Sequence, residues 1–212
     1  MITDIHTHNP DSREGIICTS PGNFNPISGR FYSCGLHPWD TESSGNDDFE
    51  NLCHILAHDA VVAIGETGID RLKGAPLARQ EEIFLRHVRL SERLRMPLII
   101  HEVKAIEQIL SIHRAVKPVM AWVRHGFRGN VQTARMYFSK GIYLSIGEKF
   151  NPEAVRSIPD SLLLVETDES KLSISAIAAK VAAARNTSAE AILRLSAQNI
   201  ASMLGGYQPA LA

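Results

Sequence analysis

Ile2-Thr3-Asp4-Ile5-His6-Thr7-His8 is an apolar run that carries two imidazoles two residues apart. Strand side chains alternate between faces, so Asp4, His6 and His8 share one face. Four later stretches repeat the pattern of an apolar run ending in a metal-capable group. They are Ile64-Gly65-Glu66, Ile99-Ile100-His101, Val123-Arg124-His125 and Val165-Glu166-Thr167-Asp168. In a parallel barrel the strand ends converge on one rim. Residues scattered from 6 to 168 thereby become candidates for a single site around one or two metal ions.

Working outward, short apolar runs recur near 2–6, 15–19, 31–36, 60–65, 97–101, 119–124, 141–146 and 161–167. Most are continuous rather than alternating, as parallel strands covered on both faces are. Helical periodicity falls near 48–58, 78–95, 103–115, 129–139, 152–157, 173–184 and 188–203. The 78–95 pattern stops at Met96-Pro97, since the residue before proline disfavours helix. Ser188 is an N-cap candidate for the last helix. Strands alternating with helices imply a parallel sheet, and eight of them a (β/α)8 TIM-type barrel, here a single domain over 1–212. The chain of 212 residues is shorter than the roughly 250 typical of such barrels. The deficit lies early, because the gaps on either side of the second run are too short for a helical crossover, which takes a dozen or more residues. The first two outer helices are therefore expected to be missing or reduced. That leaves one side thinly covered and makes a homo-oligomer an expectation.

Composition narrows the class. Apolar residues make up 44% and charged residues 21%, ordinary for a globular chain, and the net charge is −1. No global positive field draws nucleic acid, so a polyanionic substrate needs a local basic rim or bound cations. Cys18, Cys34 and Cys53 are odd in number, with no CxxC pair, which reads as reduced thiols of a cytoplasmic protein. No run approaches the roughly 20 apolar residues of a membrane span. GxSxG and phosphate-cradling glycine loops are absent, against serine hydrolases and nucleotide-loop enzymes.

The metal set read from the rim is His6, His8, Glu66, His101, His125 and Asp168. An open catalytic ion usually keeps only three protein ligands plus water. The set suits two divalent ions about 4 Å apart with a carboxylate between them. Glu66 is the choice of bridge. His6, His8 and Asp168 go to one ion, His101 and His125 to the other, and Asp168 also handles the attacking water. Asp4 either fixes an imidazole or makes a structural hydrogen bond; both readings stand. His37, in Gly35-Leu36-His37-Pro38-Trp39, ends the third run and is read as a substrate contact. Trp39 either packs or stacks on a base. His54, His58, His87 and His113 read as solvated helix faces.

These residues resemble the TatD-type metal-dependent deoxyribonucleases, a branch of the metal-dependent hydrolase barrels. The matching stretches include Asp4-Ile5-His6-Thr7-His8, Gly35-Leu36-His37-Pro38, Gly65-Glu66-Thr67-Gly68-Ile69-Asp70 and Pro97-Leu98-Ile99-Ile100-His101. His125-Gly126-Phe127, Tyr143-Leu144-Ser145-Ile146-Gly147, Glu166-Thr167-Asp168 and Asn199 to Gly205 continue it in order, with the weakest likeness over residues 9–33. The resemblance implies a two-metal hydrolase that cuts phosphodiester bonds of DNA, and it places metal roles on the same six residues. It implies magnesium or a similar ion, whereas four histidines suit zinc or manganese better than a hard ion that favours oxygen. The family usually carries arginine where this chain has Val103, and its HCFSG-like stretch reads His125-Gly126-Phe127-Arg128-Gly129. Arg128 is therefore the expected substitute phosphate contact. Glu169-Ser170-Lys171 follow Asp168 where the family tends to have proline.

The expected function is metal-dependent hydrolysis by activated water, with Glu66 and Asp168 catalytic and a phosphodiester, most simply DNA, as substrate. A barrel hydrolase of another ester or an amide, of the aminoacyl-tRNA deacylase or amidohydrolase type, is the alternative. A non-catalytic binding barrel is the third reading. The tight clustering of acids and imidazoles opposes it, because such groups are costly to gather without cations.

Overall fold

The computed structural model describes residues 1–205. Eight strands run parallel in chain order and close into one barrel. They are β1 (Asp4–Thr7), β2 (Gly15–Thr19), β3 (Phe31–Cys34), β4 (Val61–Asp70), β5 (Leu98–Val103), β6 (Trp122–Arg124), β7 (Tyr143–Ile146) and β8 (Leu163–Val165). The helices are α1 (Asn46–Leu56), α2 (Leu77–Leu94), α3 (Ile106–Val116), α4 (Val131–Phe138), α5 (Pro152–Ser157), α6 (Ile174–Arg185) and α7 (Ala189–Met203). The (β/α)8 class expected from the sequence is the one observed. The early deficit is where the spacing put it: no helix joins β1 to β2, and a single 3₁₀ turn, Pro21–Asn23, lies between β2 and β3. Among the described residues no helix is long and apolar enough to cross a membrane.

By packing, the chain divides into two compact units, and each is described by itself. Among the described residues, one comprises 1–17 and 123–205; the other comprises 18–122.

In the first unit β1 pairs with β2 (Asp4 opposite Gly15) and with β8 (Asp4 opposite Val165). Its core is aliphatic: Ile5, Ile16, Leu144, Ile146, Leu164, Val165, Ile177 and Val181 are fully buried. Helix α7 is keyed to the strands by two buried polar side chains. Ser196 Oγ donates to the carbonyl of Thr3 at 2.8 Å and accepts the Val165 N–H at 3.2 Å. Asn199 Nδ2 donates to the carbonyls of Asp160 and Leu163 at 2.7 and 2.8 Å. Ser188 caps α7 as its sequence suggests, accepting the Ala191 N–H at 3.2 Å. Asn186, in the left-handed conformation, ends α6.

In the second unit β4 is the central element and runs beyond the apolar stretch that marks it in sequence. Ile64-Gly65-Glu66 looks like a strand end, yet pairing with β5 continues to Asp70 opposite Val103. Glycine makes the extension feasible. Gly68 has φ +149°, and a Cβ there would lie against the carbonyl oxygen of His101; Gly65, at φ +143°, meets Ile99 O in the same way. Any side chain at these positions would push β5 away.

His87 on α2 departs from its expectation. Read as a solvated helix face, it is 0% exposed. Its Nδ1 donates to the Ile83 carbonyl at 2.8 Å, and its Nε2 accepts the Leu36 N–H at 3.1 Å. The buried imidazole anchors the loop that carries His37. Seen along the sequence, His87 sits among the charges of an amphipathic helix, and nothing local marks it as the side chain that turns inward. His54 and His58 are exposed, in keeping with the solvated reading.

Burial holds the His87 imidazole neutral, pushing its pKa down to about 4 from 6.5. Between those values the unfolded chain binds a proton that the folded chain refuses, so stability falls as pH drops through that window. The effect amounts to about 2–3 kcal/mol between about pH 7 and about pH 4.5. Urea denaturation at both pH values should show His87→Gln losing less stability on acidification than the wild type by about that margin; an equal acid loss would remove His87 as a cause. In the same assay Gly68→Ala should cost on the order of 3 kcal/mol, whereas a change under about 0.5 kcal/mol would mean the close approach to β5 is not required.

Candidate metal centre

Each unit brings together its own set of donors. In the first, the set lies where β1, β6 and β8 end. His6 and His8 share a face of β1, with ring centroids 5.1 Å apart. His6 is 0% exposed and its ring lies 4.3 Å from that of His125, which follows β6. Asp168 is carried past β8 and threaded onto β1: its N–H donates to His6 O at 2.9 Å and its carbonyl accepts the His8 N–H at 3.1 Å. Its backbone is left-handed, φ +51°, a conformation aspartate tolerates better than most residues. This turn aims the carboxylate back at both histidines, with Oδ1 3.8 Å from His6 Nε2 and 3.6 Å from His8 Nε2. His6, His125 and Asp168 offer one ligand atom each, all within 4.8 Å of one another.

Behind this group stands Glu166, buried at 1% exposure. Its Oε1 accepts the Gly126 N–H at 2.6 Å and lies 3.6 Å from His125 Nδ1. Burial works to raise its pKa, but the neighbouring His125, with His6 behind it, brings the carboxyl below its ordinary value. A carboxylate at the back of an imidazole sets the ring's orientation and raises its basicity as a ligand. Asp4 plays a different part. Its carboxylate accepts the His6 N–H (3.2 Å), the Thr167 N–H (3.1 Å) and the Thr167 hydroxyl (2.6 Å). Of the two readings open for Asp4, these bonds support the structural one. Burial pushes its pKa up to about 7, against the lowering effect of those bonds.

In the second unit His37, Glu66 and His101 form the corresponding group, again with ligand atoms within 4.8 Å. Glu66 Oε1 lies 2.6 Å from His101 Nδ1 and 3.3 Å from His37 Nε2, and the two ring nitrogens are 3.3 Å apart. His37 is oriented by its own turn, since its Nδ1 accepts the Trp39 N–H at 3.2 Å and leaves Nε2 facing Glu66. The carboxylate behind His101 is Asp70, whose Oδ2 lies 3.4 Å from His101 Nε2 and accepts the Trp39 indole N–H at 2.7 Å. Burial acts to raise the Asp70 pKa; the bonds from Trp39, the Leu72 N–H and His101 outweigh it and hold the carboxyl below its usual value. Cys18 Sγ lies 4.0 Å from Glu66 Oε2, and burial pushes that thiol well above the ordinary range, so it is a neutral neighbour.

His6, His8 and Asp168, which the sequence reading gives to one ion, lie together; His125, which it gives to the other ion with His101, stands against His6 instead. His101 is grouped with Glu66 and with His37, which the sequence marks only as a substrate contact. Arg128 is exposed and lines an open depression of about 630 Å³ with Lys149, Asn151 and Arg156. Asp70 and Glu166 carry no role in the sequence reading. For Asp70 the signal was there: Glu66 and Asp70 are four apart on β4, a spacing that places both acids on one strand face.

The donor chemistry fits divalent cations, with buried and half-buried imidazoles and carboxylates converging in threes and a further carboxylate behind one imidazole of each group. Comparison with known proteins agrees. The family model described as TatD related DNase matches residues 26–205. YabD of Bacillus subtilis, an uncharacterized metal-dependent hydrolase, is 31% identical over 147 residues, 65% of this chain and 58% of that protein. Deoxyribonuclease Tat-D of Schizosaccharomyces pombe is 30% identical over 153 residues, 63% of this chain and 49% of that one. This chain thus spans about half to three-fifths of the length of these curated relatives. Among solved structures, YJJV, a TatD homologue from Escherichia coli K12, superposes with a TM-score of 0.83 at 19% identity, over 95% of this chain and 96% of that one. That likeness is one of fold. With the family match running from before β3 to the end of α7, the chain belongs to the TatD-related DNase family.

Proposed function

We propose that the chain is a divalent-metal-dependent phosphodiesterase that acts on DNA in the cytoplasm. One ion is assigned to His6, His125 and Asp168, with His8 in reach, and a second to His37, Glu66 and His101. The observation that carries this reading is the paired construction: each unit gathers two imidazoles and a carboxylate within 4.8 Å. His6, His125 and Glu66 are buried and the other three half-buried, and acids and imidazoles gathered this closely away from water are costly unless a cation joins them. The name of the fission-yeast relative supports DNA as substrate. The free state of Cys18, Cys34 and Cys53 supports a reducing compartment.

Divalent ions held by these residues would lower the pKa of water and would offer a counter-charge to the phosphate. The protein's own groups do the rest. Asp168 keeps 27% of its side chain exposed, so its carboxylate is open to an incoming water and can orient it or accept its proton. Glu166 and Asp70 hold the rings of His125 and His101. Glu66 lies between the two histidines of its group, its Oε1 2.6 Å from His101 Nδ1 and 3.3 Å from His37 Nε2, and is assigned to the ion of that group. Arg128, with Lys149 and Arg156 around the same depression, offers cations to substrate phosphates. The imidazole-rich donor set favours zinc or manganese over magnesium.

Metal analysis after dialysis against manganese or zinc should give two ions per wild-type chain. Glu66→Gln should lose at least one of them, and turnover of DNA should fall by roughly a thousandfold. Arg128→Ala should keep both ions and raise KM for DNA several-fold. A Glu66→Gln protein with two ions and full activity contradicts the assignment, and an unchanged KM in Arg128→Ala removes that residue from the substrate path.

A further inference from the structure

Between β4 and α2 the chain forms the loop 71–75. Arg71, Leu72 and Lys73 are exposed, yet the loop's backbone is clamped. Gln80, 2% exposed, shares its Nε2 among the carbonyls of Asp70 (3.0 Å), Lys73 (3.1 Å) and Ala75 (2.7 Å), while its Oε1 accepts the Asp70 N–H at 2.7 Å. Gly74, at φ +94°, lets the loop press on the turn Pro38–Asp40; a Cβ there would lie against Pro38 O. The result places Lys73 Nζ 3.3 Å from the centre of the Trp39 ring. Trp39 is itself pinned, its indole N–H on Asp70 and its ring 4.6 Å from that of His37 and 5.8 Å from that of His101.

A loop fixed by a buried amide and a positive-φ glycine nevertheless leaves Trp39 43% and Leu72 66% exposed. A lone exposed leucine needs no cause. An indole locked by a buried carboxylate, covered by an ammonium and set against two candidate metal ligands is a constructed surface. We propose that Trp39 and Lys73 form a nucleotide subsite at the edge of the His37–Glu66–His101 group, with Trp39 stacking on a base and Lys73 binding the adjoining phosphate. The inference rests on the phosphodiesterase reading above.

Several observations converge on a nucleotide. Stacking on an indole tolerates any base, because every base has a π-face. The Lys73 ammonium rides on a flexible stem. A base arriving on the ring takes its place, and the charge swings to the phosphate beside it. The loop is also hydrogen-bonded to the end of β5, Arg71 N–H to Val103 O at 3.1 Å, which fixes its course beside the strand that carries His101. Trp39 thereby has a role that neither plain packing nor metal binding supplies.

Fluorescence tests this directly, because the other tryptophan, Trp122, is buried at 1% exposure. Metal-loaded protein is titrated with a hydrolysis-resistant phosphorothioate single strand and with an abasic strand of equal length. The intact strand should quench the indole emission and bind about tenfold more tightly than the abasic one. Trp39→Leu should abolish that difference. Lys73→Met should keep the wild-type metal content, weaken binding about five- to tenfold and lower the slope of log affinity against log salt by about 0.7. Strand binding that leaves the emission unchanged, or equal affinity and salt slope in Lys73→Met and wild type, overturns the subsite. The phosphodiesterase reading fails on a separate result, the absence of cleavage of unmodified DNA by the wild-type protein.

Discussion

A buried carboxylate set behind an imidazole is the interaction on which both donor groups depend. Glu166 lies behind His125, and Asp70 lies behind His101. An imidazole has two nitrogens, and it can present one to a cation only if the other is held. Remove either acid and the ring loses both its orientation and the negative charge that strengthens it as a donor. Each acid is fixed in turn by backbone N–H groups, Gly126 to Glu166 and Leu72 to Asp70, so the positioning reaches into the loops that follow the strands. Repetition of the same device in two separately packed units makes a structural coincidence a poor account of either.

Backbone conformations that most residues avoid are what let these side chains meet. Gly65 and Gly68 bring β4 close to β5 and prolong it to Asp70, which sets that carboxylate beside His101. The left-handed turn at Asp168 returns a carboxylate to β1 after β8 has ended. The fully buried His87 ties Leu36, and so the stretch before His37, to α2. Stability and site geometry therefore share residues. Changes at Gly68 or His87 act on the donors through the backbone, at the carbonyl of His101 in the first case and at Leu36 in the second.

Much of the barrel was legible in the sequence because its signal is periodic. Apolar runs and helical spacing place the elements within a few residues, and short gaps locate the missing outer helices. The donors His6, His8, Glu66, His101, His125 and Asp168 stand out because each sits at the end of such a run. What stayed hidden depended on partners distant in sequence. His87 is indistinguishable from a surface histidine until Leu36 is seen to donate to it. His37 looks like a rim residue until Glu66 lies beside it. Asp70 escaped because the apolar run stops well before the strand does, and glycines carry the remainder. Asp4, on the same face as His6, turned out to hold backbone N–H groups, a choice that strand periodicity cannot make.

The central claim is that the chain holds two cations, one in each of the donor groups. Anomalous diffraction from crystals soaked in manganese tests it most directly. The account predicts two peaks, one within bonding distance of His6, His125 and Asp168 and the other within bonding distance of His37, Glu66 and His101. Crystals that bind manganese elsewhere, or hold none at either group while the six side chains keep these positions, would contradict it.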